Sequence, residues 1–319
     1  VPSMVMARFD PDLNDPALDK GFKVPGGTML RGLLGKGDTT ACQFWTAHDM
    51  ALWPLRVSEV QYFSYAPDLP LQSLPVSATV KGGLRVRLST RDGMAISKLE
   101  IDRLPLYLSG AEETANRLFE LIHGAGLGVV GVPVQRPASW KQFLPAAHIQ
   151  HRGYQDQDAL LPRTIRGFSG YRLLQEFFYF PQRFLYAELS GLSRILRHCQ
   201  DSEIDLVIPF SRADAGLEGL VDETHVSLFC TPAINVFSRR TDRISVTSTD
   251  HSFHVVVDRT RPMDFEIHSV EKVVGFAEGN QNERQFRAFY EAYPDVADEH
   301  QAYFSLQREP RLLSAGQKI

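Results

Sequence analysis

The residues whose type and spacing could do chemistry are a few glycines, histidines, one serine and two cysteines. Gly126-Leu-Gly128-Val-Val-Gly131 has the spacing with which a strand-to-helix turn cradles a pyrophosphate. Here the order is reversed: a helical pattern precedes the glycines and a proline-containing, β-like run follows, so a helix-to-strand turn is expected instead of a nucleotide site. His251 and His254, beside Asp250 and Asp258, have a metal-ligand composition. In an extended segment, residues three apart project to opposite faces and do not converge, and the same holds for His148 and His151. Gly167-Phe168-Ser169-Gly170 is one residue short of the G-x-S-x-G nucleophile elbow. Cys199 follows Arg197 and His198, and Cys230 follows Leu228 and Phe229; either has the chemistry of a thiol nucleophile, but a small buried hydrophobe is the commoner role of an unpaired Cys. Glu112 and Glu113 open a helix, where the helix dipole favours negative charge without any catalytic role. The residues therefore point to no catalytic, cofactor or metal site.

Composition narrows the classes further. The 319 residues are enough for two domains, and 43% hydrophobic with 23% charged residues describes a packed globular chain. No stretch reaches the roughly 18 to 20 apolar residues of a membrane helix, so no direct membrane insertion is expected. The chain starts Val-Pro-Ser without initiator Met or leader, and is expected to be a piece of a longer protein. Three distant cysteines, Cys42, Cys199 and Cys230, fit a reducing compartment, with the cytoplasm as default. A net charge of −4 without a basic run gives no footprint for nucleic acid. Of 34 basic residues 26 are Arg, a bias that agrees with protein interfaces and equally with genomic base composition.

The elements expected to carry these residues are mostly short strands. Met4 to Phe9 and Thr28 to Leu30 begin the series, and Leu84, Val86 and Leu88 alternate with Arg85 and Arg87 as in a half-buried strand. Leu99 and Ile101 continue that alternation up to Pro105, which suits a strand end or edge. Ser109 to Glu112 has capping-box spacing, Ala115, Leu118, Phe119 and Ile122 share a helical face, and Gly124 suits a left-handed cap. After a polar stretch from Pro133 to Pro162 a domain boundary is expected near residue 165. A short helix at Ser190 to His198 and strands at Ile204 to Phe210, Val226 to Cys230, Ile244 to Thr247, Phe253 to Val257, Phe265 to Ile267 and Tyr303 to Leu306 follow. Phe286, Phe289, Tyr290 and Tyr293 have the spacing of a helical stripe before Pro294. The expected fold is α+β and β-rich: two antiparallel β-sheet domains, sandwich- or barrel-like, over residues 1–165 and 166–319, with a few short helices.

One segment departs from this background. Phe168 to Tyr186 holds eight of the chain's aromatics in 19 residues. Leu173, Leu174, Phe177 and Phe178 can share one helical face, and Pro181 must end that helix, so a helix, a proline corner and a strand are predicted. The rings suit a well-filled core or contact with a partner, and alanine at Phe177, Phe178 or Phe184 would separate the two.

Gly170-Tyr-Arg-Leu-Leu-Gln-Glu-Phe-Phe-Tyr-Phe-Pro-Gln-Arg-Phe184 closely resembles the signature of the TssF family (VasA, ImpG), baseplate subunits of the bacterial type VI secretion system. Leu228-Phe-Cys-Thr-Pro-Ala-Ile-Asn-Val-Phe237 is similar to a second family block, with Val236 where Leu is usual, and Phe265-Glu-Ile-His-Ser-Val270 to a third. Pro2-Ser-Met, Val24-Pro-Gly-Gly-Thr28 and Cys42-Gln-Phe-Trp-Thr-Ala-His-Asp49 fit in the expected order. The resemblance covers nearly the whole chain, and it implies a family chain longer at both ends. It also implies a cytoplasmic scaffold without catalytic site or cofactor, docked at the inner membrane. Its expected partners are TssG, two copies to one, then TssK, TssE, the VgrG hub and the sheath. The signature residues Tyr171, Leu174, Glu176, Phe177, Phe178, Phe180, Pro181, Phe184, Thr231, Pro232, Asn235 and Phe237 become candidates for partner contact. The alternative reading is a carbohydrate-binding β-sandwich module or hydrolase, suggested by the short strands and by Trp45, Trp53 and Trp140.

Overall fold

The computed structural model describes residues 1–37, 40–91, 93–162, 168–247, 249–276, 283–289 and 302–309. The fold is α+β and β-rich, as the strand patterns predict. Contacts divide the chain into Val1–Phe237 and Ser238–Ile319. The boundary expected near residue 165 is therefore displaced, because strands from either side of that position share sheets. Strand Glu203–Phe210 lies between Gly82–Thr90 and Gly128–Pro133, and Cys230–Ile234 pairs with Met4–Arg8.

Three sheets build the first unit. The largest runs in the order Gln142–Pro145, Gly128–Pro133, Glu203–Phe210, Gly82–Thr90, Leu55–Phe63, all antiparallel. Leu84, Val86 and Leu88 point into the main core, as their alternation requires. The opposite face is not the open one expected of a half-buried strand. Val130, Val132 and Val207 are buried there with Phe63, Leu69 and Leu71, and Arg87 bonds Asp205 at 2.8 Å across the strands. Asp205 is fully buried and takes Arg136 at 2.7 Å as a second partner.

The second sheet has the order Ile149–Gln150, Tyr186–Leu189, Leu104–Leu108, Val226–Ser227, and the third Met4–Arg8, Cys230–Ile234, Gln43–Thr46, Met29–Arg31. A further pair joins Phe22–Val24 to Met50–Leu52. The single strand expected from Val226 to Cys230 is broken at Phe229, whose φ of 54° is left-handed. The chain thereby changes sheets between Ser227 and Cys230. Leu99 and Ile101 are buried but follow a 3₁₀ turn at Ile96–Lys98 instead of extending the strand.

Helix α1 covers Glu112–Ala125 and buries Ala115, Leu118 and Ile122 as its periodicity predicts. Its ends differ from expectation. Ala111 is the N-cap, because the Ser109 hydroxyl donates to the Thr224 carbonyl, and the helix runs past Gly124 to Ala125. The glycines after it serve packing. Gly128 has φ 151° with the Leu144 carbonyl 2.2 Å from where a Cβ would stand, and a Cβ at Gly131 would lie 2.0 Å from Ile195.

In the second unit, Val273–Phe276 pairs antiparallel with Glu283–Ala288, which pairs in parallel with Ala302–Phe304. Phe286 is thus on a strand and not on a helical stripe, while Tyr290 and Tyr293 lie outside the described residues. Residues 244–247, 253–257 and 265–267 are not strands. Their rings find other partners: Arg239 stands 4.3 Å from the Phe265 ring centroid and bonds Asp258.

Candidate interaction surface

Helix α2, Ser169–Tyr179, occupies the aromatic segment. Pro181 cannot continue it and opens a 3₁₀ turn, Pro181–Phe184, before strand Tyr186–Leu189. The helix, proline corner and strand stand in the predicted order.

Its faces are not those of an ordinary amphipathic helix. The one fully buried residue of α2 is Glu176, while Phe168, Tyr171, Leu174, Phe177, Phe178 and Tyr179 are all exposed. Phe178 is 79% exposed and Tyr171 72%, so the core reading fails for the rings of the helix itself. It holds for Phe184 and Tyr186 beyond the corner, at 3% and 0%. Phe180 and Pro181 are half-buried, Phe180 against Leu160, Leu161 and Ile234.

Charge explains the inversion. Glu176 Oε1 accepts hydrogen bonds from the backbone N–H groups of Leu160 (3.1 Å) and Leu161 (2.9 Å) and from Arg172 at 3.2 Å, while Oε2 is paired with Arg183. Both members of the Glu176–Arg183 pair are fully buried. Arg183 also donates to the Asp158 carbonyl and lies against the Phe184 ring, 4.6 Å from its centroid. Burial, and then the nearby Arg172, lower the Arg183 guanidinium to about 10, which still leaves it charged at neutral pH. A buried carboxylate needs several donors to offset its lost hydration, and only the inward arc of α2 can reach them.

The network continues beneath the helix. The Asp158 carboxylate accepts from the Gly153 N–H at 3.1 Å and lies 4.0 Å from His48 Nε2. His48 Nδ1 accepts from Arg152 Nε at 3.3 Å, which leaves the proton on Nε2, facing Asp158. Burial, then Arg152 and Arg183, push the His48 imidazole down to about 2, so it is neutral. Arg152 pairs with Glu188 at 3.0 Å, and Arg103 holds the other Glu188 oxygen at 3.0 Å.

The remaining signature residues flank this network. Thr231 and Pro232 are buried in strand Cys230–Ile234, and Thr231 Oγ1 accepts from the His48 backbone N–H at 3.1 Å. Asn235 donates to the Gln43 carbonyl at 2.5 Å, and Phe237 stacks on Trp45 with centroids 4.5 Å apart. Gly26 N–H, in the Val-Pro-Gly-Gly-Thr stretch, donates to Asp49 at 2.6 Å. Stretches distant in sequence thus meet around one ionic core. Of the candidates for partner contact, Tyr171, Leu174, Phe177 and Phe178 are on the surface, while Glu176, Phe184, Thr231 and Pro232 are interior. The sequence reading missed His48, Arg152, Asp158 and Glu188. For Arg152 and Asp158 the signal was the polar character of the stretch from Pro133 to Pro162, which reads as loop; His48 stood in the Cys42 to Asp49 block without a role, and Glu188 gave no signal.

Other chemistry is not assembled. Among the described residues no three His, Cys, Asp or Glu side chains are grouped to hold a metal ion. His151 stacks on His123 at 3.8 Å while His148 lies by Ser190, and His251 and His254 are exposed. Burial pushes the thiols of Cys199 and Cys230 up to about 11 and about 12. Trp45, Trp53 and Trp140 are each half-buried in separate settings, against Phe237, the main core and His198. Among the described residues no helix is long and apolar enough to cross a membrane.

Comparison with known proteins places this architecture. The family model for TssF of the type VI secretion system matches residues 1–318. The chain is 46% identical over 321 residues to type VI secretion system component TssF1 of Pseudomonas aeruginosa, a match covering 99% of the chain and 51% of that relative. The chain therefore spans about half the length of the curated relative it matches. In fold it is similar, with a TM-score of 0.72 and 22% identity, to a chain of the cryo-electron microscopy structure of the type VI secretion system TssK-TssF-TssG baseplate subcomplex. That similarity covers 91% of this chain and 51% of the other. A family match over essentially the whole sequence, agreeing with the signature blocks of the first unit that meet around the ionic core, establishes that the chain belongs to the TssF family of type VI secretion system proteins.

Proposed function

We propose that the protein is a structural subunit of a type VI secretion baseplate, working in the cytoplasm at the inner membrane and assembling with TssG and TssK. The carrying observation is the family match over residues 1–318 together with 46% identity to TssF1. The structural neighbour contains TssK, TssF and TssG in one complex, which supports the choice of partners. Further contacts, with TssE, the VgrG hub and the sheath, and two copies per TssG, are part of the same reading.

The physical features agree with a scaffold. Charged residues in the interior are spent on one another, as in Arg87–Asp205–Arg136 and Arg172–Glu176–Arg183, and the largest apolar feature of α2 is on the surface. Buried charges paired with one another fix a shape more readily than they do chemistry. Co-expression of the full-length protein with its cognate TssG tests the proposal: the two should purify as one complex through a tag on either. Full-length protein that never retains TssG removes it.

A further inference from the structure

No further inference is drawn: the strongest candidate, the exposed apolar arc of helix α2 around Tyr171, Leu174 and Phe178, carries nothing, because nothing in the structure shows whether another subunit or the half of its relative's length that this chain does not span covers it.

Discussion

Glu176 and Arg183 carry opposite charges into a place where neither side chain meets solvent. Such a pair contributes little net stability over a well-packed apolar pair, but removing one member leaves the other uncompensated, at a cost of about 3 to 5 kcal/mol. In Glu176→Gln the amide oxygen can still accept from Leu160 and Leu161, while Arg183 loses the carboxylate it is paired with and keeps Arg172 as a repulsive neighbour. In Arg183→Met the carboxylate retains Arg172 at 3.2 Å. Each single change should therefore lower stability strongly. The double change should cost less than the two singles together by at least about 2 kcal/mol, because neither member of the pair is then left buried without the other. Chemical denaturation of the four proteins measures this, and additivity within about 0.5 kcal/mol would show that the two residues act independently. At this scale the sequence is nearly silent. Glu176 looks like the solvent-facing member of an i, i+4 pair with Arg172, and nothing local reveals that the N–H groups of residues 160 and 161 need its carboxylate.

At the scale of elements, the helix, proline corner and strand between residues 168 and 189 are legible because they depend on local chemistry: ring and leucine spacing, then a proline that cannot donate. The orientation of the helix is not legible, since it is set by partners outside it. The same distinction explains α1, whose buried face was read correctly while its N-cap was not, because the Ser109 hydroxyl is taken by Thr224 from far along the chain. Inverted orientation predicts opposite behaviour for two phenylalanines of one segment. Phe184 is 3% exposed, wedged against Tyr154 and Phe177, and Phe184→Ala should cost about 3 to 5 kcal/mol. Phe178 is 79% exposed, and Phe178→Ala should change stability by no more than about 0.5 kcal/mol. Thermal melts of the two variants decide it: equal losses would mean that α2 is packed with its rings inward.

For the whole molecule, the order of strands in the chain is not their order in the sheets. Composition and alternation indicate a β-rich fold, yet a boundary at residue 165 follows only if neighbours in sequence are neighbours in space. Here the central strand of the largest sheet, Glu203–Phe210, arrives more than a hundred residues after its partner Gly82–Thr90, and Cys230–Ile234 completes a sheet begun by Met4–Arg8. A chain cut at residue 165 would leave Gly82–Thr90 and Gly128–Pro133 without the strand that lies between them. It would also leave Leu104–Leu108 without either of its partners and Met4–Arg8 unpaired. Unpaired strand edges and half a core cannot offset the entropy of ordering the chain. Residues 1–165 should therefore fail to show a cooperative thermal transition, whereas residues 1–237, which retain all three sheets and the network around Glu176, should unfold in one cooperative step followed by circular dichroism. A cooperative melt of residues 1–165 would mean that the long-range pairings are accessory to a smaller self-sufficient core. Failure of residues 1–237 alone would mean that the segment after Phe237 is needed to complete the fold.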